Sequence, residues 1–151
     1  MRTLKFSEFY KGDFEDPGYE LYFLKDTDGK AMYIGISRNS IWHRWFGGGN
    51  SHMDIGAGEK IFGASNIGQV IERRFPSSWD WVIELWTKED CLKVLGEEFE
   101  GKDAERINIE ALEPYLINKF EPLYNVMYSK GSHEDPLTTK KLDEAYKKLF
   151  G

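Results

Sequence analysis

Short apolar runs broken by polar turns make up the first half of this chain, and the spacing of the apolar positions changes from one segment to the next. From Tyr19 to Lys25 (YELYFLK) aromatic and aliphatic residues dominate, Asp26-Thr27-Asp28-Gly29 supplies turn chemistry, and Ala31 to Ser37 is apolar again. That pattern predicts a β-hairpin. Asn39 or Ser40 then stands where a helix cap is needed, ahead of a short helix bearing Trp42, Arg44 and Trp45 that ends at the glycines 47–49. Ile67, Val70, Ile71 and Phe75 recur at helical spacing after Ser65 or Asn66, with Arg73 and Arg74 outward, and Pro76 stops that helix. Trp79 to Thr87 (WDWVIELWT) is rich in β-formers and predicts a third strand. Helical patterns follow from Glu89 to Leu95 and from Asp103 to Phe120, and Thr138 to Phe150 carries an apolar stripe of Leu142, Ala145, Tyr146 and Leu149.

Together these elements predict an α/β fold, a small three-stranded, mostly antiparallel sheet flanked by helices. Residues 1–18 read as an N-terminal arm, 19–128 as the domain, and 129–151 as a C-terminal loop and amphipathic helix packed on it. Asn50 to Ala64, with Asp54, Gly56, Gly58 and Glu59, reads as a surface loop or short helix. It lacks the Gly-Lys-Ser/Thr ending of a phosphate loop. Gly96 to Lys102 is an acidic connector and Tyr128 to Asp135 a polar loop.

Composition narrows the setting. Ten Phe, eight Tyr and five Trp in 151 residues are ample for one packed core. The single cysteine, Cys91, excludes an intrachain disulfide and a cysteine-rich metal site, and reads as a small buried side chain. The N-terminus lacks the apolar core of a signal peptide, and no run approaches the roughly 20 apolar residues that span a bilayer. The expectation is a soluble, cytoplasmic protein with no membrane association. A net charge of −6 argues against strong, unspecific binding to nucleic acid, although Arg38, Arg44, Arg73 and Arg74 leave room for a local basic cleft.

Candidate chemistry lies in two places. The hairpin carries Glu20-Leu21-Tyr22 on one strand and Tyr33-Ile34-Gly35 on the next, followed by Arg44 on the helix; far downstream, EPYLINKFEPLYN places Glu113, Leu116, Ile117, Pro122, Tyr124 and Asn125 at fixed offsets. This arrangement resembles the GIY-YIG nuclease family, over roughly Tyr19 to Tyr128. The second tripeptide is intact, and the first keeps its tyrosine but has Glu20 where glycine is usual.

The resemblance implies a metal-dependent endonuclease acting on DNA phosphodiester bonds. It implies Tyr22 as general base or water-positioning group, Tyr33 as its assistant, Arg44 on the phosphate, and Glu113 as ligand to Mg²⁺, with Mn²⁺ as substitute. Gly35 and Asn125 support the site. A further basic residue, often lysine or histidine, is usual in the family, and Ile36 stands where some members have lysine. His43, Arg38 and His52 are its candidate replacements, although His43 and His52 taken alone read as surface residues. Pro114 directly after Glu113 predicts a kink or a helix start at Glu113.

The residue types suit the task. Hydrolysis of a phosphodiester needs an activated water, neutralisation of charge on phosphate and help for the leaving oxygen. One carboxylate can hold a Mg²⁺ that keeps most of its waters, and a guanidinium fork matches phosphate better than lysine does. A second reading of the same residues is a nucleic-acid or protein binding module with weakened catalysis, one subunit of a larger assembly or self-associating through the 138–150 helix.

Overall fold

An antiparallel sheet of four strands carries helices on both faces in the computed structural model, which describes residues 1–47, 51–55, 61–96 and 106–125. In chain order the elements are β1 (Arg2–Lys5), α1 (Phe6–Lys11), β2 (Leu21–Lys25), β3 (Ala31–Ile36), α2 (Ile41–Phe46), β4 (Met53–Ile55), β5 (Ile61–Gly63), α3 (Asn66–Arg73), β6 (Val82–Trp86), α4 (Lys88–Leu95) and α5 (Ile109–Phe120). The spatial order is β1-β6-β2-β3, so the hairpin occupies one side of the sheet and β6 pairs along the outer side of β2.

Three strands were expected in the sheet, and among the described residues it has four. The fourth is β1, whose four residues alternate too briefly to announce a strand: only Leu4 is buried, and Arg2 and Lys5 are exposed, as suits a charged sheet edge. Its partner is β6, with Arg2 opposite Leu85. The β6 strand is also shorter than its sequence predicts. Ser77–Asp80 forms a single 3₁₀ turn instead, held by the Ser78 hydroxyl donating to the Ile71 carbonyl at 2.6 Å, and Trp79 leaves the strand pattern to pack on Phe6 and Tyr10.

The hairpin register decides which face each residue serves. Tyr22 lies opposite Gly35 and Leu24 opposite Tyr33; Leu21 lies opposite Ile36 and Phe23 opposite Ile34. Residues alternate across a strand, so the first two pairs share one face and the last two share the other. The first face packs on Phe6 and Phe9 of α1, Ile41, Trp45 and Phe46 of α2, and Ile67, Val70 and Ile71 of α3. Against the second lie Cys91 and Leu95 of α4 and Ile109, Leu112, Leu116 and Ile117 of α5.

Caps fix the short helices. The Ser40 hydroxyl accepts from His43 N–H at 3.3 Å, Ser65 from Gly68 N–H at 3.1 Å, and Thr87 and Asp90 form a reciprocal capping box on α4. Each such cap contributes about 1 kcal/mol. Helix α5 begins at Ile109, after Asn108, and runs through Pro114, so the helix start predicted at Glu113 is not found. The stretch expected as loop or helix contributes a two-stranded ribbon, β4 with β5; its residues 56–60 lie outside the described ones. So do the glycines at 48 and 49, most of the acidic connector, the 103–105 start of the helix predicted to end at Phe120, the polar loop expected at 128–135 and the helix expected over 138–150. No described helix is long and apolar enough to cross a membrane.

The outer edge of β3 is closed by the segment after α5. Leu123 and Tyr124 donate their N–H groups to the carbonyls of Ala31 and Met32, at 3.1 and 3.0 Å. The Asn125 amide then takes the place of a paired strand residue: its Oδ1 accepts from Ile34 N–H and its Nδ2 donates to Ile34 C=O, both at 2.7 Å.

Candidate active site

Tyr22 is the buried centre of the site. It is 1% exposed, and its ring crosses the face of Gly35, where a Cβ atom would collide with the phenol carbon and oxygen. The glycine of the Tyr33-Ile34-Gly35 tripeptide is therefore required by the tyrosine on the neighbouring strand. At its far end the phenol meets two partners. Arg44 of α2 donates to the Tyr22 oxygen, and His52 Nε2 lies 2.5 Å from it.

His52 is not a surface residue. It is 1% exposed, beneath the rings of Trp45, Tyr22 and Tyr33. Its backbone carbonyl accepts from the N–H groups of Ala64 and Ser65 at 2.8 and 3.2 Å, and its Nδ1 lies 2.7 Å from the Ser65 hydroxyl. Gly68 lets the first turn of α3 approach this closely, since a Cβ there would strike the His52 carbonyl oxygen. Chain pairing between β4 and β5, together with α3, thus draws a polar residue from an expected loop into the core.

A cavity of about 270 Å³ opens beside this cluster, lined by Tyr33, Arg44, His52, Ser65, Asn66, Ile67, Tyr124 and Asn125. Tyr22 is not part of its wall. The two tyrosines, stacked with ring centroids 6.2 Å apart, therefore differ in access: Tyr33 is half-buried and faces the cavity, and Tyr22 stands behind it.

Burial sets the protonation of the cluster. It pushes the Tyr22 phenol well above its usual value, with Tyr33 adding to the effect and Arg44 opposing it. Tyr33 is pushed up to about 12 by burial and by the Glu113 charge, again against Arg44. His52 is lowered to about 3, because burial and the adjacent Arg44 both disfavour imidazolium. All three rings are neutral at pH 7. Glu113, half-buried on α5, is raised to about 7 by burial and by Glu110 one turn earlier.

Glu113 acts on the cluster from the other layer of the fold and, like Tyr22, is not part of the cavity wall. Helix α5 lies against β3, and the Glu113 charge acts on both Tyr33 and Tyr22. Among the described residues no group of three or more His, Cys, Asp or Glu side chains is assembled for a metal. A single carboxylate still fits a Mg²⁺ ion that keeps most of its own water, and a carboxyl whose charge is disfavoured by its surroundings is one that an added cation stabilises.

The remaining predicted positions separate. Arg38 is 77% exposed along its side chain and pairs with Glu110 on α5, holding that carboxyl below its usual range. His43 is exposed on α2 against Trp42. Asn125 both closes the sheet edge and lines the cavity. Trp42 and Trp45 pack, the former donating to the Tyr10 carbonyl at 3.0 Å. Cys91 is fully buried, its thiol pushed up to about 12 by that burial and by nearby carboxylates.

Ser65 is a member of the cluster that sequence reading treats only as a helix cap; its contact with a histidine 13 residues away leaves no local pattern. Comparison of the chain with models of known protein families, with curated proteins and with solved structures finds no match.

Proposed function

We propose that this chain is a divalent-metal-dependent endonuclease of the GIY-YIG kind that hydrolyses DNA phosphodiester bonds. The observation that carries the reading is the convergence of Tyr22, Tyr33, Arg44 and Glu113, from β2, β3, α2 and α5, into one electrostatically coupled group. Arg44 and the first turn of α3 line the same cavity, which gives a phosphate two sources of positive potential.

In this reading Arg44 holds the scissile phosphate and neutralises charge that develops on its oxygens. Tyr33, the tyrosine on the cavity wall, orients the attacking water; it could take that water's proton only as the phenolate, after losing its own, and Arg44 together with a cation at Glu113 would favour that form. Tyr22 holds Arg44 from behind. Glu113 would hold Mg²⁺, which when bound supplies Lewis acidity to a phosphate oxygen and to the leaving group. Neutralising the Glu113 charge also removes one of the two causes that raise the Tyr33 proton affinity. His52 fills the position of the additional basic residue of the family, as a neutral hydrogen-bonding partner of Tyr22.

A nicking assay on supercoiled plasmid with Mg²⁺ or Mn²⁺, comparing the wild-type chain with Glu113→Ala, tests this. The expected result is cleavage by the wild type and its loss in the variant at unchanged fold. Equal cleavage by both proteins, or none by either with every metal, rejects it. The net charge of −6 favours the rival reading, a binding module without cleavage, and nucleic-acid retention without nicking is its signature.

A further inference from the structure

We propose that Ser65 is a positioning residue that fixes His52 as its Nδ1–H tautomer, so that Tyr22 donates its hydroxyl hydrogen to Nε2 and offers its lone pairs to Arg44. The inference follows from counting protons along one line of groups. Gly68 N–H donates to the Ser65 oxygen at one end, and Arg44 donates to the Tyr22 oxygen at the other. Between them stand a serine hydroxyl, a neutral imidazole and a phenol, with 2.7 Å and 2.5 Å gaps on either side of the imidazole.

Three hydrogens serve two gaps, so one hydrogen must point outside the line. If Ser65 donated to Nδ1, then His52 would donate from Nε2 and the Tyr22 hydrogen would be displaced. Tyr22 is 1% exposed and absent from the cavity wall, and the partners that its hydroxyl has among the described residues are His52, which in this arrangement donates, and Arg44, which can only donate. Leaving it unpaired in the core costs about 1–3 kcal/mol. In the opposite direction Ser65 accepts from both Gly68 and His52, filling its two lone pairs, and its own hydrogen turns into the cavity that Ser65 lines. The line then reads, donor to acceptor, Arg44 to Tyr22 to His52 to Ser65. Which imidazole nitrogen bears the proton is set by the bond the other makes, and here the helix cap makes it.

Its consequence for cleavage, the aiming of Arg44, rests on the nuclease reading; the tautomer does not. The measurement is nitrogen NMR of the histidine side chains in the ¹⁵N-labelled full chain, with His52 told apart from the other two histidines by His52→Gln. Ser65→Thr keeps hydroxyl and cap. Ser65→Gly keeps a serviceable helix start but removes the acceptor. Wild type and Ser65→Thr are expected to show Nδ1–H, and Ser65→Gly to shift toward Nε2–H. An Nε2–H tautomer in the wild type, or Nδ1–H undiminished in Ser65→Gly, overturns the assignment. In the nicking assay Ser65→Gly is expected to cleave about tenfold more slowly and Ser65→Thr near the wild-type rate. Wild-type speed in Ser65→Gly despite a changed tautomer overturns the role in aiming Arg44. A wild-type chain that nicks nothing rejects the nuclease reading instead, and the tautomer still decides the role of Ser65 as the group that orients His52.

Discussion

Tyr22 and Gly35 face each other across β2 and β3, and the phenol ring of one fills the volume that a side chain on the other would need. The relationship makes the glycine of the tripeptide a packing requirement of the tyrosine. Gly35→Ala is therefore expected to push the phenol off its bond to His52. Overpacking of this kind costs about 1–3 kcal/mol, readable as a lower urea midpoint at unchanged slope. An unaltered midpoint would mean that the ring has room to move.

The two tyrosines should part company on truncation. Tyr33→Phe removes a hydroxyl at the cavity and is expected to slow nicking with a small change in stability. Tyr22→Phe removes the acceptor of Arg44 and the partner of His52 together, leaving a buried imidazole nitrogen unpaired, and is expected to lower both activity and stability, the latter by about 1–3 kcal/mol. Thermal unfolding alongside the nicking rate checks the split; a destabilised Tyr33→Phe with a stable Tyr22→Phe would reverse the two positions.

Asn125 should behave as a structural residue of unusual cost. Its amide closes both backbone groups of Ile34 at 7% exposure, so Asn125→Ala strands a donor and an acceptor on the sheet edge. A loss of about 2–5 kcal/mol is expected for the pair. Asn125→Asp keeps the acceptor but sets a carboxylate against the Ile34 carbonyl, and should be no more stable than the alanine variant. Denaturant melts of the three proteins decide this.

Two groups with opposed shifts shape the acid limb of stability. His52 binds its proton near pH 3 when folded and near 6.5 when unfolded, so its contribution is complete above about 6.5 and falls as the pH drops, by at most about 1.4 kcal/mol per unit. Glu113 has the reverse sign. Its folded carboxyl keeps a proton up to about 7 against an ordinary 4.5, so its contribution is complete below 4.5 and is lost as the pH rises to about 7. Between 4.5 and 6.5 the two slopes oppose. Glu113→Gln removes one of them, and its stability is expected to fall more steeply than that of the wild type as the pH is lowered through this window. Parallel curves from urea melts at successive pH values would contradict the assignment.

What the sequence by itself determined is local. Apart from the resemblance that singles out Tyr22, Tyr33, Arg44 and Glu113 as candidates, alternation and turn residues mark the β2–β3 hairpin, and Ser40 and Ser65 mark helix starts. These features depend on neighbours within one or two turns of chain, where side-chain type and backbone preference act together. The tertiary structure decided the rest. Strand β1 exists because β6, some 80 residues away, offers it an edge. His52, Ser65 and Asn125 acquire their partners at separations of 30, 13 and 91 residues. A histidine in a glycine-rich loop carries no sign that a helix terminus and a strand tyrosine will close on both its nitrogens, because that burial is produced by packing between elements and not by the pattern within any one of them.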